Sequence, residues 1–234
     1  MDWREKLQSG PIAAQVIERI RHGLFSGDLK PGDQLPTELE LCELWGVSRT
    51  PIREAVKILQ YMGIVEIRRS EGTFICAEGR PALLNPLVLR LLLMAPSSEQ
   101  WLELRLMVEL GTVQLAIEKA TSEDLARLEA NFAETARCAA DGAAADRLTE
   151  LDLEFHGLVA RATHNPLIAE LSHELLQLFA ESIRNGHLRN KGRLAVQHHR
   201  QLLDALHAKD LAEAVRATRE SLGYWAQEYI QQRV

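Results

Sequence analysis

Three side chains that can bind a metal ion fall on helical stripes in the C-terminal half of the chain. Asp152 and His156 are four residues apart in "LDLEFH", so a helix would carry them on one face. His199 falls within the apolar stripe of a later segment, "VQHHRQLLDAL". A carboxylate and imidazoles that converge in a helical bundle suit a divalent ion such as Zn, Ni or Mn. The alternative is a pair of core histidines bonded to Asp152 or to backbone carbonyls, since a buried imidazole needs a partner.

A second set of side chains is basic and falls in the segment "GVSRTPIREAVKIL". Arg49, Arg53 and Lys57 follow one another at intervals of four residues, so a helix would carry them on one face. Arginines in the first turns of such a helix can read guanine O6 and N7 in the major groove of DNA. Ser48 and Thr50, at the same helix end, can donate to phosphate. Lys57 lies farther along and suits a contact with the DNA backbone or with solvent.

The alternative for this basic face is that it is merely solvated, with Glu54 as a local charge partner. The formal net charge of the whole chain is -6, which argues against a general nucleic-acid coat. The charge is unevenly distributed, however, because residues 48–69 carry five basic side chains against two glutamates. A local basic surface on an acidic chain is compatible with specific binding to DNA.

The elements that would position the basic residues are short helices. The segment between Ser9 and Ile75 predicts three of them, followed by a hairpin. The second helix begins after Thr37, which can form a capping box with Glu40, and it ends at Gly46, which can adopt the left-handed conformation of a sharp turn. The third helix begins at Ser48 as its N-cap and carries the basic face.

The hairpin follows directly: "IVEIR" alternates like a strand, "RSEG" turns and "TFIC" returns. Two helices joined by a turn that contains glycine, with a hairpin after them, describe a winged helix-turn-helix. In that fold the third helix would enter the major groove. Arg68 and Arg69 would lie on the wing, placed for phosphate or the minor groove. The pattern therefore favours DNA binding over a solvated helix.

The same segment, "LPTELELCELWGVSRTPIREAVKILQYMGIVEIRRSEGTFI", resembles the GntR family of bacterial transcription regulators. The resemblance implies a sequence-specific regulator that binds operator DNA. Family members usually carry a basic residue where this chain has Leu39, and often Gly then Arg where it has Ser70 and Glu71. We therefore expect an operator sequence that differs from the commonest family operators.

The rest of the chain is predicted to be helical. Residues 77–86 lose their periodicity and gain glycine and proline, which predicts a linker between domains 1–76 and 87–234. "LELRLMVELGTVQLAIEKAT" and "LDLEFHGLVARATHNPLI" resemble the all-helical FCD-type effector domain of the FadR subfamily. The predicted fold class is thus mainly α, with a winged helix-turn-helix followed by a helical bundle that binds an effector and dimerises. Helices are expected near residues 87–94, 98–120, 122–140, 144–163, 165–185, 190–207 and 209–232.

The resemblance also bears on the metal site. Metal-dependent members of the subfamily use an Asp and three His, and Asp152, His156 and His199 match the first three. The fourth position falls at Ser221, where the family pattern has His. Other members bind their effector without a metal, so both a metal-dependent and a metal-free pocket stay open. His187 and His198 are neighbours in sequence, but no pattern aims them at the fourth position.

Two further residues are candidates for effector binding. Arg105, in "LELRLMVEL", lies at the edge of its helix's core stripe, where a guanidinium suits a carboxylate. The alternative for Arg105 is an i, i+4 salt bridge with Glu109. Asn165, in the "THNPL" turn, either contacts the effector or caps a helix.

Sequence features also indicate where the protein works. The start, "MDWREKLQSG", has no apolar signal-peptide core. The most apolar run, residues 83–96, contains Pro86 and Arg90 and falls short of the roughly 20 residues that span a bilayer. The cysteines are widely spaced and form no CxxC pair, which predicts reduced thiols. We therefore expect a cytoplasmic protein with no membrane partner.

Taken together, these patterns predict a homodimeric transcription regulator controlled by a small organic acid, with repression relieved by the effector. One alternative is a metal-free acid sensor of the same architecture. The other is a metal-dependent hydrolase that would act through Asp152, His156 and His199. No activated nucleophile or general base accompanies those three residues, so we expect no catalysis.

Overall fold

The computed structural model describes residues 7, 10–77, 90–91, 93–94 and 96–231. The chain divides into two compact units, Met1–Pro86 and Leu87–Val234. Residues 78–86 of the expected linker, and half of the helix expected near 87–94, lie outside the described residues. Those two expectations stay predictions.

The first unit contains three helices and a two-stranded antiparallel hairpin, as the sequence predicts. In the hairpin, Val65 lies opposite Ile75 and Arg68 lies opposite Gly72. The turn between the strands places Ser70 in the left-handed region, at φ 65°, which is unfavourable for a residue with a Cβ atom. The elements are α1 (Ile12–Ser26), α2 (Glu38–Trp45), α3 (Arg49–Tyr61), β1 (Val65–Arg68) and β2 (Gly72–Ile75).

Local signals explain how α2 and α3 are set against each other. At the start of α2 the Thr37 backbone N–H donates to Glu40 Oε2 at 2.7 Å, and the Glu40 N–H donates to Thr37 Oγ1 at 3.3 Å. This reciprocal pair is the predicted capping box. Gly46, at φ 70° and ψ 35°, ends α2 in the left-handed conformation, so α3 can leave at a sharp angle. The Trp45 side chain between them is fully buried.

Replacing Thr37 by alanine is expected to destabilise the first unit by about 1 kcal/mol, because one backbone N–H at the start of α2 loses its acceptor. Urea unfolding followed by circular dichroism measures the change. Thr37→Ser is the control, since it keeps the hydroxyl and should stay near the wild type. Equal stability of the alanine and serine variants would contradict the role of the capping box.

The second unit is a bundle of helices. In it α6 packs against α5 and α7, and α9 packs against α4 and α8. Fully buried side chains such as Phe155 on α6 and Leu203 on α8 form its core. The helices are α4 (Ser98–Lys119), α5 (Ser122–Ala140), α6 (Ala145–Arg161), α7 (Pro166–Asn190), α8 (Arg193–Ala208) and α9 (Leu211–Gln231). Within the described residues, no helix has the length and apolar character needed to cross a membrane.

One helix boundary was predicted wrongly. The sequence "NGHLRNKG" indicated a break near residue 185, but α7 continues to Asn190 and stops at Lys191 and Gly192, both at positive φ. Glycine inside a helix costs about 1 kcal/mol relative to alanine. Gly186 is buried on α7, which packs along α6, and this packing overrides the local preference. The longer helix carries His187 to the wall of a cavity described below.

Candidate functional site

All the residues predicted to contact DNA are exposed on the first unit. The opposite side of α3 is buried in the core through Ile52, Val56 and Leu59. Ser48 is the N-cap of α3, but its side chain makes no capping bond, so its hydroxyl is not committed to the helix. The exposed residues are Ser48, Arg49, Thr50, Arg53, Lys57, Arg68 and Arg69.

Two of the basic regions have acidic partners. On the wing, Arg68 Nε donates to Glu66 Oε1 at 2.7 Å, and its guanidinium lies 4.3 Å from the centre of the Phe74 ring. Near α3, Glu38 contacts both Arg49 and Arg53. Neither partner was singled out from the sequence. The Glu38 contacts depend on the fold of the helix-turn-helix, whereas Glu66 and Arg68 lie two residues apart on one face of β1.

In the second unit, α6 and α8 bring the three predicted metal-binding residues together. One potential ligand atom from each of Asp152, His156 and His199 lies within 4.8 Å of the others. His199 Nε2 is 2.9 Å from Asp152 Oδ1, and its ring stacks on Phe155 with centroids 3.8 Å apart. The predicted convergence is therefore present. So is the alternative contact, a buried histidine hydrogen-bonded to Asp152.

The protonation states of this cluster suit a metal ion. Burial by itself raises the pKa of Asp152, but the hydrogen bond with His199 and the charges of neighbouring histidines hold that pKa well below its usual range. Burial lowers the pKa of His156. A carboxylate and a neutral imidazole are the forms that coordinate metals. Nδ1 of His199 is buried and has no hydrogen-bond partner among the described residues, so the cluster fits a cation.

The fourth position has no replacement among charged or imidazole side chains. Ser221 lines the same two cavities as His156 and His199. Across the side chains described between residues 96 and 226, no further His, Cys, Asp or Glu joins the group of three. His198 and His187 lie on the cavity walls but outside that group. A bound ion would thus have three protein ligands of these types and open coordination positions.

Arg105 is buried beside this cluster. Its Nε and Nη2 donate to Glu109 Oε1 at 2.9 and 2.7 Å, so the salt bridge that the spacing indicated is present. The guanidinium lies 4.5 Å from the Trp225 ring centre and 4.8 Å from that of Phe179. Nη1 of Arg105 is buried without a hydrogen-bond partner in the described part of the chain. Glu109 Oε2 is 3.9 Å from His156 Nδ1, so Glu109 connects the arginine to the metal-binding cluster.

Arg105, His156 and His199 line two cavities, and Asp152 lines one of them. Both cavities are bounded by Arg105, His156, His198, His199 and Ser221. One of them continues between aliphatic side chains of α4, α7 and α8, and it encloses about 600 Å³ including space open to solvent. Mostly apolar walls with a few converging polar groups are typical of small-molecule sites.

His198, which the sequence offered only as a histidine near the metal-binding set, is a wall residue of both cavities. Its ring stacks on Tyr224 with centroids 5.4 Å apart, and its Nε2 is buried with no partner in residues 96–231. Burial lowers the pKa of His198. Asn165, which the sequence offered as an effector contact, instead accepts a hydrogen bond from the Leu167 N–H at 3.0 Å and caps α7. It lines neither of these cavities.

Comparison with known proteins finds a family match for each of the two units. Residues 12–75 match the GntR family of bacterial regulatory proteins, and residues 100–223 match the FCD domain. The uncharacterised HTH-type transcriptional regulator YcbG of Bacillus subtilis is 33% identical over 199 residues, which cover 85% of this chain and 82% of YcbG. The chain belongs to the GntR family.

Two further relatives are also named as transcription regulators. LutR of Bacillus subtilis is 35% identical over 68% of this chain and 71% of its own length. The galactonate operon transcriptional repressor of Escherichia coli is 29% identical over 84% of this chain and 87% of its own. The solved structure of Streptococcus agalactiae GntR superposes with a TM-score of 0.59, at 25% identity over 92% of this chain and 99% of that one.

These comparisons establish the kind of protein. This GntR-family member is a DNA-binding transcription regulator whose FCD domain binds an effector, and it is not an enzyme. The helix-turn-helix implies operator DNA as the partner of the first unit. The hydrolase alternative is therefore set aside.

Proposed function

We propose that this regulator is a repressor of the FadR subfamily that releases its operator when it binds a small organic acid. Arg49 and Arg53 would read base edges in the major groove, while Ser48, Thr50 and Lys57 would hold phosphates. A homodimer would place two winged domains on a pseudo-palindromic operator. Since its partner is operator DNA, we expect the protein in the cytoplasm.

The proposal that this protein binds an acid effector is supported by the side chains on one cavity wall. On it the cluster of Asp152, His156 and His199 lies beside Arg105, whose Nη1 is buried and unpartnered within the described residues. A guanidinium nitrogen in that state favours a ligand carboxylate, because leaving it unmatched is costly.

A divalent ion held by Asp152, His156 and His199 would supply open coordination positions for ligand oxygens. Zn, Ni and Mn all suit a carboxylate–imidazole set. With Ser221 in place of a fourth histidine, the protein would hold the ion through fewer bonds. An acid that supplies both a hydroxyl and a carboxylate would then contribute to holding the ion.

The chemistry of this wall favours hydroxy acids and sugar acids. Arg105 would take the carboxylate, and the metal ion would take a hydroxyl oxygen. The galactonate operon repressor, one of the relatives, carries a sugar acid in its name. We therefore propose D-galactonate as the first acid to test on this chain.

A metal-free acid sensor is the second candidate, and one contact favours it. The 2.9 Å contact between His199 Nε2 and Asp152 Oδ1 already pairs these two atoms without an ion. In that case Arg105 would hold the acid alone. Addition of metal ions to the stripped protein separates the two candidates.

Replacing Arg105 by lysine is expected to weaken binding of the acid about tenfold, because the positive charge stays but the planar fork of donors is lost. Isothermal titration calorimetry with D-galactonate measures the change. Arg127→Lys, on an exposed part of α5, is the matched control and should leave the affinity unchanged. Equal affinities of the Arg105 variant and the wild type would remove Arg105 from the effector site.

A further inference from the structure

One carboxylate on α2 touches both arginines that we propose read DNA. Glu38 is the first residue of α2, and its side chain reaches across the helix-turn-helix to α3. Arg49 Nε donates to Glu38 Oε2 at 3.1 Å, and Arg53 Nε lies 3.8 Å from Glu38 Oε1. The Glu38 side chain is 32% exposed, whereas those of Arg49 and Arg53 are 68% and 60% exposed.

The geometry of these contacts matters for base reading. The closest approach of each arginine to Glu38 is through Nε, and within the described residues the terminal nitrogens of Arg49 and Arg53 form no hydrogen bond. A bidentate contact with guanine O6 and N7 needs donors held in a fixed fork. A carboxylate on Nε therefore leaves the terminal pair free and limits the rotation of each side chain.

We propose that Glu38 is the positioning residue of the DNA-reading face and a determinant of operator specificity. This inference rests on the proposed reading role of α3. By orienting both guanidinium groups before DNA arrives, Glu38 reduces the loss of side-chain freedom on binding. Its negative charge also opposes phosphates, which supply most of non-specific affinity. Both effects raise the ratio of specific to non-specific binding.

A matched pair of variants isolates this role. Glu38→Gln removes one negative charge from α2 and the ion pairs with Arg49 and Arg53. Glu43→Gln removes the same charge from the same helix, at an exposed position with no ion pair among the described contacts. A general change in charge therefore affects both variants, whereas a change in arginine orientation affects only the first.

The experiment begins with an operator selected from random duplex DNA by the wild-type protein. Fluorescence anisotropy then gives the Kd for that operator and for a scrambled duplex, at one salt concentration. We expect Glu43→Gln to keep the ratio of the two Kd values and Glu38→Gln to lower it about tenfold, the order of one lost base discrimination. Selection repeated with Glu38→Gln should show weaker preference for guanine at the positions that the wild type selects.

Two contrary outcomes are distinguishable. If the wild type selects a sequence but Glu38→Gln keeps the wild-type ratio, as Glu43→Gln does, the positioning role is wrong and the reading helix stands. If the wild type selects no sequence, the reading role of α3 fails, and the inference about Glu38 fails with it. Thermal melting of both variants checks that neither has lost its fold.

Discussion

Arg49→Ala is expected to lose about 1–3 kcal/mol of operator binding and to relax the base preference at one position of each half-site. Arg49 is the first residue of α3, it is exposed, and its terminal nitrogens form no hydrogen bond in the described structure. A bidentate contact from that position discriminates guanine from the other bases. Alanine removes the donors. It also leaves the negative charge of Glu38 with one arginine fewer to offset it near the DNA.

Lys57→Ala is the matched control for Arg49→Ala, because it removes one positive charge from the same face of α3. Because Lys57 is expected to contact the DNA backbone, its loss should weaken binding to all sequences alike. It should also reduce the slope of log K against log salt concentration by about 1. Gel shifts with the selected operator, and with operators that carry single-base changes, compare the Arg49→Ala and Lys57→Ala proteins. An Arg49→Ala protein with unchanged affinity and unchanged base preference would overturn the assignment of α3 as the reading helix.

His156→Ala and His199→Ala are each expected to abolish the stabilisation that a divalent ion gives to the stripped protein. An ion at about 100 times its Kd stabilises a protein by about 2.7 kcal/mol, which is a clear shift in melting temperature. The cluster of Asp152, His156 and His199 provides one carboxylate and two imidazoles, a ligand set that suits Zn, Ni and Mn. Losing one of only three ligands leaves too few to hold the ion.

The shift caused by metal, not the absolute melting temperature, is the quantity to compare. His199→Ala also destabilises the metal-free protein, because it creates a cavity beside Phe155 and leaves Asp152 buried without its 2.9 Å partner. His173→Ala, on the exposed side of α7, is the control and should keep the full shift. A wild type that shows no shift with any of the three ions would favour the metal-free sensor, with Arg105 as the holder of the acid.

The sequence predicted the first unit well because its signals are local. A capping box at Thr37, a left-handed glycine at Gly46 and an apolar stripe on α3 each lie within a few residues of the feature that they set. The exposure of the basic face follows from the same stripe. Glu66 and Arg68 are two residues apart on β1, so strand alternation already places them on one face. The packing of Arg68 on Phe74 was not predictable, since it depends on the register of the hairpin.

In the second unit, local sequence signals predicted only part of the site. Spacing placed Asp152 and His156 on one face, and the convergence with His199 came from helical periodicity together with the family resemblance. Contacts between segments that are distant in the sequence could not be predicted. The buried His198 against Tyr224 and the Glu109 bridge to His156 require the packing of whole helices. The length of α7 was missed for the same reason, because packing overrides the glycine that would otherwise end a helix.

Operator affinity measured with and without acid tests the central claim most directly. Full-length protein is bound to the selected operator and followed by fluorescence anisotropy while D-galactonate is added, with Zn, Ni or Mn present. We predict that saturating acid weakens operator binding by about 1–3 kcal/mol, the usual size of coupling between two sites, and that Arg105→Lys requires about ten times more acid for the same release. An operator affinity that stays constant while calorimetry shows the acid bound would contradict the account.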